Sequence, residues 1–187
     1  MGYLELALKR QKINLADIET INVNELTSIG TRRIKLSPFE RIGTYVGHSG
    51  GKDSVVVNHL ALFAYGANSY PIVHTPKVSG SNKVHELTRK FLYELDEVVT
   101  YVPSSLHSTL GYKTQIDGTR EAEASREDGR STTFVKDGID VPRTAMGPYF
   151  ENGLFGLNFV YPIYDWSDLE VWAFIYHYKL PISGEYL

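Results

Sequence analysis

Along residues 41–187 the apolar positions switch repeatedly between two periods. RIGTYVGH reads as a strand that ends at Gly50-Gly51. DSVVVNHLALFAYGA follows, with Val56, Val57, Leu60, Ala61 and Ala64 on one helical face and Gly66 near its end. SYPIVHT is a short strand. NKVHELTRKFLYEL is an amphipathic helix with Val84, Leu87, Phe91 and Leu95 on its apolar side. EVVTYV and YKTQIDGT are two more strands, followed by the polar run EAEASREDGRSTTF. Residues 134–158, with four glycines and two prolines, read as loop. NFVYPIYDW leads into a last helix, WSDLEVWAFIYHYKL. There Ser167 is the expected N-cap, Glu170 completes a capping box and Pro181 stops the helix.

Strands alternating with helices predict an α/β fold, a mostly parallel sheet with helices on both faces. Ligands of such sheets bind at the carboxyl ends of strands, near a switch in strand order. GHSGGKDS and DGTREAE both sit after strands. Residues 1–40 read as an N-terminal appendage to a domain spanning 41–187. In it LELALKRQK and LADIETINVNEL are short helices, and TRRIKLSPFE is extended with a break at Pro38. Arg32 and Arg33 read as a solvated face.

Bulk composition narrows the function classes. The chain has 187 residues, 42% hydrophobic and 22% charged, which suits one globular domain. Its net charge of −3 gives no global attraction to nucleic acid or anionic membrane. Cysteine is absent, so these residues offer no disulfide, iron–sulfur ligand, cysteine-ligated zinc or thiol nucleophile. No apolar run reaches a membrane span, the first residues are too charged for a signal peptide, and Leu6 breaks the myristoylation pattern. A soluble cytoplasmic protein is expected. His48 and His59 lack ligand spacing and do not read as a metal site; His48 reads as a bystander beside the glycine pair.

Ser49-Gly50-Gly51-Lys52-Asp53-Ser54 is the segment with the clearest chemistry. A phosphate needs several backbone N–H groups aimed at one point. Glycines allow a sharp turn and a close approach, and the first turn of the next helix adds free donors and a partial positive charge. Ser49 and Ser54 bring hydroxyls, and Lys52 brings a charge-assisted contact. Asp53 either caps the helix or helps hold a Mg²⁺ that the phosphates also bind. The segment is neither G-x-x-x-x-G-K-[ST] nor G-x-G-x-x-G. The plain structural alternative is a Gly-Gly turn that binds nothing.

SGGKDS resembles the pyrophosphate-binding loop of the adenine nucleotide alpha-hydrolases, the PP-loop ATP pyrophosphatases. Gly118-Thr119-Arg120-Glu121-Ala122-Glu123-Ala124-Ser125-Arg126 resembles the G-x-R-x-x-E-S-x-R segment of the phosphoadenosine phosphosulfate (PAPS) reductases. Tyr161-Pro162-Ile163-Tyr164-Asp165-Trp166, followed by Leu169-Glu170-Val171-Trp172, resembles that family's P-[IL]-x-D-W-x-x-x-x-[VI]-W segment. The resemblance implies a Rossmann-like doubly wound fold with an adenine nucleotide in its cleft. It assigns Ser49, Gly50, Gly51, Lys52, Asp53, Ser54, Thr75, Gly118 and Arg120 to nucleotide binding, with Lys52, Asp53 and Arg120 catalytic. Arg120 would contact the substrate's anionic part, Glu123 would orient it by an ion pair, and Lys77 and Arg126 would add charge.

PAPS reductases attack sulfur with a thiol near the C-terminus, and the family continues past the equivalent of LPISGEYL into a tail that often carries cysteine. Without a thiol, self-contained reductase chemistry is not expected of these residues. The leading expectation is cleavage of ATP at the α-phosphate, with AMP transferred and pyrophosphate released, and with Mg²⁺ on the phosphates. Two alternatives stand beside it. One is binding or processing of a sulfonucleotide with a thiol supplied by a partner protein. The other is a non-catalytic nucleotide-binding subunit in a hetero- or homo-oligomer.

Overall fold

The computed structural model describes residues 2–36, 43–66, 72–74, 99–101, 111–123, 133–136, 139–142, 149–150 and 158–187. The helix expected over 82–95 lies outside them. Six strands form one sheet: β1 (Thr44–Gly47), β2 (Ile72–His74), β3 (Val99–Tyr101), β4 (Thr114–Ile116), β7 (Tyr149–Phe150) and β8 (Asn158–Val160). Their order is β3-β2-β1-β4-β8-β7. The first five run parallel, and β7 closes one edge antiparallel to β8. The fold is the expected Rossmann-like α/β arrangement. Thr44, Tyr45 and Val46 of β1 are all buried, as suits a strand covered on both faces.

Five helices are described: α1 (Tyr3–Arg10), α2 (Leu15–Glu19), α3 (Val23–Lys35), α4 (Lys52–Tyr65) and α5 (Asp168–Tyr178). Alternation predicted one apolar face for α4, yet Val55, Val56, Val57, Leu60 and Ala61 are buried all around it. The helix is enclosed because α3, α5 and β1 all pack against it. Leu4, Ala7, Leu8, Ile18, Leu26 and Ile34 of the first three helices share one core with Trp172, Phe174 and Ile175 of α5.

Two expectations for the first 40 residues are corrected. LADIETINVNEL is two helices, because Asn22 accepts the Glu25 N–H (3.3 Å) and starts α3 afresh. Residues 31–35, expected as extended, continue α3, where Ile34 supplies a core contact. Gly30 lies on the same helix against Leu60: a Cβ there would stand 2.7 Å from Leu60 Cδ1.

Residues 134–158 are not all loop. β5 (Thr133–Lys136) pairs antiparallel with β6 (Ile139–Pro142), Lys136 opposite Ile139, and β7 adds a strand to the main sheet. The intervening Asp137-Gly138 dipeptide is itself a hairpin signal. The capping box of α5 forms as expected. Glu170 N–H donates to Ser167 Oγ (3.2 Å) and Ser167 N–H to Glu170 Oε2 (2.7 Å).

Candidate functional site

Strand order reverses at β1: the chain moves outward through β2 and β3, then returns to the other side of β1 with β4. A crevice opens at the carboxyl ends of such a pair. The loop after β1 carries Ser49–Gly51 and enters α4; the loop after β4 carries Asp117–Arg120. The topology therefore brings together two motifs that lie far apart along the chain.

The first loop turns at Gly50, where φ is +82°. Such a value strains any residue with a Cβ. The N-cap of α4 is Gly51, which has no side chain to satisfy the helix's first donors. Asp53 is therefore not the cap; it stands in the first turn with its carboxylate turned to two cations. Neutral acceptors hold the loop's donors. Gly50 N–H donates to His48 Nδ1 (3.1 Å) and Gly51 N–H to Ser49 Oγ (3.3 Å). Lys52 N–H donates to the phenol oxygen of Tyr186 (3.1 Å). Ser54 Oγ–H donates to Gly51 O (2.7 Å), fastening the turn. Because His48 accepts at Nδ1, its ring proton sits on Nε2. It is a buried brace of the loop rather than a bystander.

The second loop is held against α4. Asp117 Oδ1 accepts from Thr119 N–H (2.8 Å) and Thr119 Oγ1 (2.7 Å), which closes the turn. Gln115 bridges Asp117 (2.7 Å) to the phenol of Tyr45 (2.7 Å). Burial, with the charge of Asp117 and the neighbouring Tyr112, pushes the Tyr45 phenol far up. Gly118 lies directly on the first turn of α4. A Cβ there would stand 2.9 Å from the Asp53 carbonyl carbon, 3.1 Å from its oxygen and 3.1 Å from Ser54 N. Glycine at this position lets one backbone touch another.

Four charges meet where the loops join α5. Arg120 is 1% exposed. It donates to Asp168 Oδ1 (2.7 Å) and to the Trp166 carbonyl (3.1 Å). Its Nε lies 2.7 Å from Asp53 Oδ1, an ion-pair approach whose N–H direction does not meet hydrogen-bond geometry. Lys52 Nζ lies 2.8 Å from Asp53 Oδ2 and 3.1 Å from Asp168 Oδ1. Two cations and two carboxylates thus alternate around a mostly buried ring. Both carboxylates stand in the first turns of helices, where the backbone dipoles favour them. Burial pushes the Asp168 carboxyl upward, but the charge and hydrogen bonds of Lys52 and Arg120 outweigh it and hold the group below its ordinary range.

Of the residues predicted for the site, Ser49, Gly50, Gly51, Lys52, Asp53, Ser54, Gly118 and Arg120 come together here. Thr75, Lys77 and Arg126 lie outside the described residues, as does the side chain of Glu123. Among the described residues the ion partners of Arg120 are Asp53 and Asp168; the expected pairing with Glu123 lies outside them. Lys52 faces the same two carboxylates. Asp168 and Tyr186 were not anticipated. Asp168 follows a helix cap and carries no chemical motif, and nothing in SGEYL points to a loop far upstream in the chain.

Asp53 and Asp168 each already face Lys52 and Arg120. Among the described residues no three acidic or imidazole groups cluster as metal ligands. This donor set does not fit a magnesium ion held by the chain itself. No described helix is long and apolar enough to cross a membrane.

A phosphate-bound PAPS reductase from Candida auris superposes with a TM-score of 0.56 at 11% identity, over 87% of this chain and 88% of that one. The fold is that of a PAPS reductase. It is shared with FMN adenylyltransferase of Candida glabrata in complex with ATP (TM-score 0.57, 12% identity), over 97% of this chain and 66% of that one. Yeast FAD synthetase in complex with FAD matches similarly (TM-score 0.55, 13% identity, 97% and 69%). No protein-family model and no curated protein matches the sequence.

Proposed function

We propose that the chain is a PP-loop adenine-nucleotide enzyme of the PAPS reductase-like branch. In this reading it cleaves ATP at the α-phosphate, transfers AMP to an acceptor and releases pyrophosphate. One observation carries the reading: the Ser49–Ser54 and Gly118–Arg120 loops meet at the β1/β4 switch point, on a fold that FMN adenylyltransferase also has.

An acceptor oxygen attacks the α-phosphorus, the bond to the bridging oxygen breaks, and pyrophosphate leaves with the electron pair. Negative charge grows on the leaving group, so catalysis needs fixed donors at that point rather than a protein nucleophile. The N–H groups of Gly50, Gly51 and Lys52 and the hydroxyls of Ser49 and Ser54 are those donors. Their present partners are neutral and exchange for phosphate oxygens. The N-terminal dipole of α4 adds to the attraction.

Lys52, Asp53, Arg120 and Asp168 act together. Their charges cancel, so the two carboxylates do not repel the phosphates, and the ring locks both helix N-termini in place. Arg120 is thereby a positioning residue: it fixes Asp53 and the first turn of α4. Thr75, following β2, is assigned to the adenosine. Lys77, Glu123 and Arg126 are assigned to the anionic part of the second substrate.

A second reading has its own support. The match to PAPS reductase covers 88% of that protein, which favours a sulfonucleotide in the same cleft, with any thiol brought by a partner. Calorimetric titration with ATP, adenosine phosphosulfate and PAPS, with pyrophosphate release measured in parallel, separates the readings. ATP binding with pyrophosphate release upholds the first. Exclusive binding of a sulfonucleotide upholds the second, and no binding by any of the three overturns both.

A further inference from the structure

The segment after α5 returns to the glycine loop. Gly184–Tyr186 forms a single 3₁₀ turn. Its Tyr186 phenol oxygen accepts the Lys52 N–H at 3.1 Å, and a Cβ on Gly51 would lie 3.6 Å from the same oxygen. The phenol therefore stands over the point where the first backbone donor of α4 faces outward. Glu185, the preceding residue of the same turn, and Asp53 place negative charge beside it. The ring rests edge-on against Trp172 (5.5 Å, 85°).

We propose that Tyr186 and Glu185 form a built-in cap on the anion loop, which the phosphates of an incoming nucleotide displace. The inference rests on the nucleotide reading above. The phenol oxygen holds one of the N–H groups that a phosphate needs, so binding must break that bond. Glu185 adds like-charge repulsion against any anion that approaches while the cap is seated. Beyond Ser183 the turn's backbone bonds are local, Tyr186 N–H to Ser183 O (3.1 Å) and Leu187 N–H to Gly184 O (3.2 Å). A Cβ on Gly184 would meet nothing within 4 Å, so no other segment packs on the turn at that point.

The test is calorimetric titration of inorganic pyrophosphate into the full chain, the Tyr186→Phe variant and the Glu185→Gln variant. Tyr186→Phe keeps the ring on Trp172 and removes only the oxygen. Loss of one competing hydrogen bond tightens pyrophosphate binding roughly two- to tenfold. Glu185→Gln tightens it as well, with an effect that shrinks as salt is raised. The chain has two tryptophans, so a Trp166→Phe background leaves Trp172 as the reporter, and its emission changes as pyrophosphate expels the tyrosine. Unchanged affinity in Tyr186→Phe overturns the cap while leaving the nucleotide reading intact. Weaker binding also overturns it, and makes the phenol a phosphate ligand instead. Failure of all three proteins to bind pyrophosphate or ATP overturns both the cap and the nucleotide reading.

Discussion

Replacing Arg120 by methionine tests the four-charge ring most directly. The thioether fills much of the guanidinium's volume and removes its charge. Asp53 loses a cation at 2.7 Å, Asp168 loses one at 2.7 Å, and the Trp166 carbonyl loses its donor at 3.1 Å. Removing one member of a buried ionic cluster typically costs about 3–5 kcal/mol, because the remaining charge stays buried and uncompensated. Here Lys52 still faces both carboxylates, and the Asp168 side chain is 52% exposed, so water screens its share. The expected loss is about 3 kcal/mol. For a chain of this size that lowers Tm by roughly 6–12 °C, measured by thermal and urea unfolding at neutral pH. Asp168→Asn supplies the control. In the Arg120→Met background it costs less than in the wild type, with a coupling above about 1 kcal/mol. A loss below about 1 kcal/mol in Arg120→Met, or additivity within about 0.3 kcal/mol, would show that the ring is not an energetic unit.

Gly118→Ala drives a Cβ to 2.9 Å from the backbone of Asp53, where no rotamer can relieve it. It is expected to cost about 1–3 kcal/mol in urea unfolding and, in the nucleotide reading, to weaken pyrophosphate binding by shifting the first turn of α4; wild-type stability would refute the close approach. Arg33 grips Asp165 through two contacts (2.6 and 2.7 Å), and its hydrogen bonds, opposed by burial and aided by its charge, hold the Asp165 carboxyl below the ordinary range. A lowered folded pKa stabilises the protein above the unfolded value near 3.8 and loses that stabilisation as pH falls further. Because the Asp165 side chain is 55% exposed, Asp165→Asn should cost under about 1 kcal/mol at pH 7. The difference should vanish toward pH 2 in acid-unfolding curves; a gap independent of pH contradicts the pairing.

Local signals revealed most of the fold. The strand before the glycines, α4, the capped last helix and the parallel class all follow from periods of two and 3.6 and from Ser167 and Glu170. The misreadings share a cause. Thr31–Lys35 looks polar and irregular, but it is helical because Gly30 and Ile34 meet α4 and the core. β5 and β6 were hidden by reading glycine and proline content in place of the Asp137-Gly138 hairpin signal. In the candidate site, the loop residues were recognised because phosphate chemistry demands glycine, hydroxyl and cation within a few positions. Asp168 and Tyr186 were invisible because their partners lie far off along the chain: Arg120 is 48 positions from Asp168, and Lys52 is 134 from Tyr186.

By itself the amino-acid sequence determined the layered α/β class, the turn at Gly50-Gly51 and the side chains available for an anion, since these depend on neighbours along the chain. Only the tertiary structure decided where the charges point. Lys52 and Arg120 read as cations that meet a substrate, yet both turn inward to Asp53 and Asp168. The physical reason is that a buried charge needs its counter-charge within a few ångströms. The packing of α4, β4 and α5, not proximity along the chain, selects which carboxylates stand at that distance.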